Sequence, residues 1–182
     1  MICYLVHGFN VKDGGKNTVD KLIPHLIDRG FECIELDYGF FNLARVRLCN
    51  RAVARTIAAT VAPDSIAIGH SNGCAIIYRA ALAGAMFRHV TLINPALDAA
   101  KSIEGADTVN VWYSTSDNAV RASRLLWRHT WGNQGRIGHT NPDARYRQFN
   151  ADLEFGDKVG HSGIFETDNR LAKVVERICA RL

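Results

Sequence analysis

Ser71 stands between two glycines in Gly69-His70-Ser71-Asn72-Gly73. The apolar run Ile66-Ala67-Ile68 precedes it, and Cys74-Ala75-Ile76-Ile77-Tyr78-Arg79-Ala80-Ala81-Leu82, which reads as a buried helix, follows. A strand, a Gly-x-Ser-x-Gly turn and a helix, in that order, put a serine hydroxyl at the tip of a very tight turn. Glycine on both sides relieves the crowding that such a backbone imposes. The same turn brings the serine to a helix N-terminus, where free N–H groups can hold a developing oxyanion. The chemistry implied is nucleophilic attack on a carbonyl. A glycine-rich turn that merely contains serine is the simpler reading, and the flanking strand and helix count against it.

A serine hydroxyl is a weak nucleophile until a base takes its proton, and an acid must hold that base in one tautomer. The histidines after Ser71 are His89, His129, His139 and His161. His161 lies in Val159-Gly160-His161-Ser162-Gly163-Ile164-Phe165, a turn between the last strand and the last helix, where glycines let an imidazole project toward the serine. His89 precedes a strand and so falls at the wrong end of a sheet, and His129 fits a helix-surface pattern. His139 lies in an unassigned loop and is the competitor. For the acid, Val109-Asn110-Val111-Trp112-Tyr113 runs into Ser114-Thr115-Ser116-Asp117-Asn118, which places Asp117 in a polar turn at a strand's carboxyl end. Its plainer duty there is to cap a helix over 119–129. Asp98, one strand earlier, is the alternative acid and reads better as the cap of a short helix. Asp143 and Asp157 lie too close to the histidine segment. Directly after the first strand, His7-Gly8-Phe9-Asn10 lets the backbone approach a substrate at Gly8. The Phe9 and Asn72 N–H groups would then form a two-donor oxyanion hole. Alone, that turn reads as an ordinary strand end with His7 packed locally.

These groups need a scaffold, and the chain supplies alternating strands and helices. Apolar runs at 2–6, 32–36, 65–69, 90–94 and 108–113 are short and not strictly alternating, which suits strands buried on both faces of a parallel sheet. A last strand falls within 147–154. Val19, Leu22, Ile23, Leu26 and Ile27 share one helical face, with Pro24 kinking that helix or delaying its start. Asn42 is placed to cap a helix burying Leu43, Val46, Val53 and Ile57. Leu171, Val174, Val175, Ile178 and Leu182 form a final stripe behind Thr167 or Asp168 as cap. Residues 130–147 show no period, and a loop that long in one domain is usually functional.

With 182 residues the chain is long enough for one packed domain, spanning 1–182, and short for two. No apolar stretch approaches the ~20 residues of a membrane span, and the N-terminus reads as a strand rather than a signal peptide. Five scattered cysteines without Cys-x-x-Cys spacing argue for reduced thiols in a cytoplasmic setting, and against a zinc site or disulfide frame. A net charge of +4 is mild. The arginines between 121 and 147 read as a solvated face, so a nucleic-acid partner is not expected. The sequence does not fix an oligomeric state, and a monomer is compatible with it.

Taken together these motifs resemble a minimal α/β-hydrolase over nearly the whole chain. The strand ending in His7-Gly8-Phe9-Asn10 matches the family's third strand and oxyanion loop. The resemblance therefore implies a three-layer α/β core with a mostly parallel sheet of six strands and no cap domain. It is similar to small cap-less lipases and esterases and to small hydrolases of phage genomes, which would be expressed in a bacterial host. In that family the chain order is serine, acid, histidine. The resemblance implies Ser71 as nucleophile, Asp117 as orienting acid and His161 as general base, with Phe9 and Asn72 as oxyanion donors. Expected substrate-binding residues are His7, Tyr38, Phe40 and Trp131, with Phe9, Phe41, Trp112 and Trp127 as further aromatic wall. The implied activity is hydrolysis of a carboxylic ester or thioester, on a small-molecule or lipid-like acyl substrate, without metal or organic cofactor. An amidase, a hydrolase of cell-wall or lipid linkages, and a non-catalytic binder keeping the fold are the alternatives.

Overall fold

The computed structural model describes residues 1–9, 12–39, 43–120 and 131–182. Its strands are β1 (Ile2–Val6), β2 (Glu32–Glu35), β3 (Ser65–His70), β4 (Phe87–Ile93), β5 (Ala106–Tyr113) and β6 (Tyr146–Asn150). Its helices are α1 (Ile23–Ile27), α2 (Leu43–Thr60), α3 (Asn72–Leu82), α4 (Gln134–Ile137), α5 (Ala151–Phe155) and α6 (Asp168–Cys179). The strands form one sheet in the order β2-β1-β3-β4-β5-β6, and each neighbouring pair is parallel.

Why the apolar runs do not alternate is visible in the packing. Successive side chains point to opposite faces, and both faces are covered. On one face Leu5, Ile66, Ile68, Ile93 and Trp112 pack against Val19, Leu22 and Leu26 and against Leu171, Val174, Val175 and Ile178 of α6. On the other, Val6, Ala67, Leu92, Val109 and Val111 meet Ala54 and Ile57 of α2 and Cys74, Ala75, Ile76 and Ile77 of α3. Each large aliphatic side chain sealed this way contributes about 1.5–3 kcal/mol of burial. The result is the expected three-layer α/β core. Among the described residues none forms a separate cap domain.

Several local expectations shift by a few residues. Pro24 sits in the first turn of α1, behind a 3₁₀ turn at Val19–Leu22, so it delays the helix rather than kinking it. Thr167 occupies the cap position of α6 without a side-chain capping bond. β4 begins at Phe87, which puts His89 inside the strand rather than before it. Asp98 caps no helix: its carboxylate accepts from the Ala100 N–H, closing a tight turn. The last strand starts at Tyr146 and gives way to α5 at Ala151. As an edge strand with Arg147 and Gln148 exposed, it carries a weak apolar signature. Asn42, Phe40, Phe41, Trp127, His129 and the Leu43 side chain lie outside the described residues.

Two imidazoles are sealed inside the sheet. His89 bonds the Thr108 hydroxyl at 2.7 Å and the Thr91 hydroxyl at 2.9 Å. His70 donates from Nε2 to the His161 carbonyl at 3.0 Å. Burial pushes both down to about 3, with His161 adding to the effect at His70 and Arg181 at His89. The unfolded chain therefore takes up protons near ~6.5 that the folded chain refuses. This stability is whole above that value and is lost as pH falls toward 3. Near pH 5 the loss amounts to about 2 kcal/mol per histidine. Denaturant midpoints should fall between pH 7 and 5, and His89→Gln should flatten that slope by roughly one proton.

Candidate active site

The sheet's connections set where a site can form. From β1 the chain leaves to β2 through α1 on one face, and from β2 it returns to β3, on β1's other side, through α2 on the opposite face. The carboxyl ends of β1 and β3 thus flank a topological switch point, where open α/β sheets offer a crevice. His7–Phe9 follow β1 there, and Ser71 follows β3.

Ser71 lies at φ 53°, ψ −116°, a left-handed conformation that a non-glycine residue adopts only under constraint. The constraint comes from the neighbouring backbone. The Ser71 N–H bonds the Ile93 carbonyl at 3.0 Å, and its own carbonyl accepts from the Ala96 and Cys74 N–H groups at 3.1 and 3.2 Å. The first turn of α3 is pressed against the end of β1. A Cβ on Gly73 would overlap the Val6 carbonyl oxygen. The strained turn and this contact require each other. Among the described residues, the Phe9 and Asn72 N–H groups donate no hydrogen bond.

The Asn72 side chain is anchored from two sides. Its Oδ1 accepts from Asn50 Nδ2 of α2 at 2.9 Å and from Trp131 Nε1 at 3.1 Å. Its Nδ2 donates back to Asn50 Oδ1 at 3.3 Å.

Asp117 follows β5 and is sealed from solvent, whereas the His161 side chain is 24% exposed. The two meet at 2.7 Å between Asp117 Oδ2 and His161 Nδ1. Asp117 Oδ1 also accepts from the Val120 N–H at 2.9 Å, so the residue caps a helical turn as well as contacting the imidazole. Ser71 and His161 line one cavity of about 180 Å³ together with Phe9, Ala96, Ala119, Val120 and Trp131. Among the described residues, its walls are apolar apart from the hydroxyl and the imidazole.

Other expected residues fall elsewhere. His139 is buried, stacked on Tyr146 at 3.9 Å, and bonded to Gln134 at 3.1 Å and Ser102 at 3.4 Å, so it is a packing element. Trp112 is a core residue stacked on Phe149 and on Phe155. His7 and Tyr38 do not line the Ser71 cavity. Their rings stack at 4.1 Å, and the Tyr38 hydroxyl donates to the His7 and Gly8 carbonyls, so the pair braces the turn after β1. Phe40 lies outside the described residues. Trp131 does reach the cavity, edge-on to Phe9 at 5.1 Å.

The aperiodic segment is held by backbone contacts that side-chain patterns do not report. A Cβ on Gly132 would overlap the backbone of Leu97 and Asp98. The Gln134 and Gly135 N–H groups bond Leu97 and Pro95 carbonyls at 2.9 and 2.8 Å, and the Ser114 N–H bonds the Gly135 carbonyl at 3.0 Å. His139 and Gln148 exchange two more bonds, at 2.7 and 2.9 Å. The segment is thereby stitched to the ends of β4 and β5 with Trp131 at the cavity.

Sequence reading missed three further groups. Asn94, at the end of β4, donates to Asp117 Oδ2. Asp152 of α5 accepts from the Ser114, Thr115 and Ser116 hydroxyls and from the Ser116 and Val159 N–H groups, over 2.7–3.0 Å. Burial alone would push Asp152 up; those donors outweigh it and hold it well below the usual carboxylate range. The Gly160 N–H then bonds the Ser114 and Ser116 hydroxyls at 3.0 Å. Asp152 so ties the Asp117 turn to the His161 loop. His70, between Gly69 and Ser71, grips that loop through the His161 carbonyl. An asparagine closing an apolar strand was a readable signal; the partners of Asp152 and His70 come from distant segments and left none. Among the described residues no group of three or more His, Cys, Asp or Glu side chains is arranged to hold a metal ion, and no helix is long and apolar enough to cross a membrane.

No protein-family model matches the chain, and no curated protein matches it. Solved structures do. The chain superposes on mouse alpha/beta hydrolase domain-containing protein 10 with a TM-score of 0.64 at 13% identity, covering 98% of this chain and 88% of that one. An extracellular alpha/beta-hydrolase from a Paenibacillus species gives 0.58 at 12% identity, over 100% and 98% of the two chains. The esterase domain of a Rhodothermus marinus protein gives 0.56 at 16%, over 99% and 85%. The chain has the α/β-hydrolase fold.

Gly73→Ala tests the contact that holds the turn. Overlap with the Val6 carbonyl should destabilise the fold by at least about 1–3 kcal/mol, read as a lower urea midpoint.

Proposed function

We propose that the protein is a serine hydrolase of carboxylic esters or thioesters. The observation that carries this reading is the 2.7 Å contact of a fully buried carboxylate with an imidazole that shares an apolar cavity with a strained serine. Asp117 holds His161 with Nδ1 protonated, which leaves Nε2 free to act as base. Ser71 Oγ attacks the carbonyl carbon as His161 takes its proton. The negative charge moves to the carbonyl oxygen, facing the Phe9 and Asn72 N–H groups as oxyanion donors. The tetrahedral intermediate collapses, His161 protonates the leaving alcohol or thiol, and the acyl group stays on Ser71. Water, activated by the same imidazole, then releases the acid. In this structure no direct hydrogen bond joins Ser71 Oγ to the imidazole, as is common for a catalytic contact that tightens when substrate arrives.

The cavity suggests the acyl group. At about 180 Å³ it is smaller than sites for drug-sized ligands, which run ~300–1,000 Å³. Its apolar walls favour a short, uncharged acyl chain, with the leaving group toward solvent.

Purified protein should hydrolyse acetyl and butyryl esters faster than long-chain esters. A fluorophosphonate probe should modify Ser71 in the folded protein. Ser71→Ala should abolish labelling and lower kcat at least about 10³-fold, and Asp117→Asn should lower kcat by about 10⁴ through the wrong imidazole tautomer. Full esterase activity in Ser71→Ala would refute the mechanism.

A further inference from the structure

Asn94 closes β4 at φ 44°, fully buried, one strand over from the acid turn. Asparagine tolerates this left-handed backbone better than most side chains. Its Nδ2 faces three acceptors: Asp117 Oδ2 at 3.1 Å, the Gly160 carbonyl at 3.2 Å and the Gly135 carbonyl at 3.4 Å. Three acceptors on one side of the amide fix that side as the NH₂ group. The opposite Oδ1 is buried without a hydrogen-bond partner, a cost an apolar side chain would avoid. Two of the contacts bear on the site directly. Asp117 Oδ2 is the same oxygen that accepts from His161 Nδ1, and Gly160 is the residue before His161.

We propose that Asn94 is a positioning residue of the hydrolase, a single amide that clamps the carboxylate of the acid and the backbone of the base's loop to the end of β4. The proposal rests on the serine-hydrolase reading above. One N–H of the amide fixes which Asp117 oxygen faces the imidazole and draws part of its charge. The other, on the Gly160 carbonyl, sets the height of the His161 loop above the sheet. The Gly135 carbonyl shares the same donors, which extends the clamp to the segment carrying Trp131. Asp98, the acidic residue further along the same connection, is exposed and turned into its own loop, so Asn94 is the polar side chain of the β4 end that meets the acid.

Two substitutions separate a positioning role from packing. Asn94→Gly removes the donor while suiting the left-handed backbone. Asn94→Asp keeps the shape but turns the donor into an acceptor facing a carboxylate and two carbonyls. Asn94→Gly should lower kcat about 10–100-fold with KM within about threefold, the loss expected when a hydrogen bond to a charged group is removed from the transition state. The acidic limb of the kcat/KM profile should move to higher pH, because a carboxylate with one donor fewer keeps more charge for the imidazolium. Among the described residues the other titratable ring facing His161 is His70, neutral over this range, so His70 contributes no competing step. Asn94→Asp should lower kcat further.

The NMR titration of the His161 ring, assigned with His161→Gln, should move in the same direction as the limb, and it needs no turnover. A folded Asn94→Gly with wild-type kcat and pH profile would overturn the proposal. So would a kcat loss in which neither the limb nor the ring titration moves, since that is what packing alone would give. Ser71→Ala is run alongside: if it hydrolyses esters as fast as the wild type, the serine-hydrolase reading fails, while the ring titration still decides whether Asn94 acts on the Asp117–His161 pair.

Discussion

A carboxylate without any solvent access is the constraint to which much of the candidate site answers. Asp117 is 0% exposed, and an ionised group in that position is tolerated only when surrounded by donors. Among the described residues it receives three: the Val120 N–H, Asn94 Nδ2 and His161 Nδ1. Each arrives from a different element. The Val120 N–H belongs to the turn that follows β5, Asn94 to the end of β4, and His161 to the loop before α6. Satisfying one buried group therefore fixes the relative placement of three segments that are far apart in sequence. The neighbouring Asp152 repeats the device with five donors, binding the same acid turn to the same histidine loop from the other side.

Two kinds of rigidity meet at the switch point. The serine turn is rigid because backbone presses on backbone: Gly73 under the Val6 carbonyl leaves Ser71 little choice of conformation. The histidine loop is instead held by hydrogen bonds through side chains, from Asp152, Asn94 and His70. Backbone packing against a strand end resists displacement steeply, since interiors have little free volume. A loop held by polar contacts can shift by tenths of an ångström at modest cost. On the proposed mechanism the imidazole would approach the hydroxyl, withdraw with a proton and return it, so the adjustable element is on the side that would have to move.

How much of this was legible follows from whether the signal is local. Strands β1, β3, β4 and β5 showed as short apolar runs because both sheet faces are buried there. The edge strand β2 showed only through the half-buried Cys33 and Ile34, and the stripe of α6 showed because one face of that helix is buried. The serine turn was readable because its glycines are required by sterics within five residues. The positions of Asp117 and His161 followed from turns at strand ends. What escaped was pairing between distant segments. His7 and Tyr38 looked like substrate contacts, but their rings spend themselves on each other and on the turn's carbonyls. The stretch 130–147 lacked any period because its described part, residues 131–147, is held by main-chain bonds to Pro95, Leu97 and Ser114, contacts to which side-chain type contributes little.

That stitched segment also explains why the cavity has one defined wall. Trp131 reaches it with its indole N–H fixed to Asn72 Oδ1, and the same oxygen is held by Asn50 of α2. Asn72 supplies the first backbone N–H of α3, beside the strained serine. The side chain of one residue therefore couples the wall of the cavity to the backbone amide next to the hydroxyl. A ligand group that pushes on Trp131 pushes, through a single buried amide, on the donor that would meet developing negative charge. On the proposed mechanism, fit in the cavity and charge stabilisation at the turn would be coupled through this one side chain, whose amide is bonded to Asn50 on one side and Trp131 on the other.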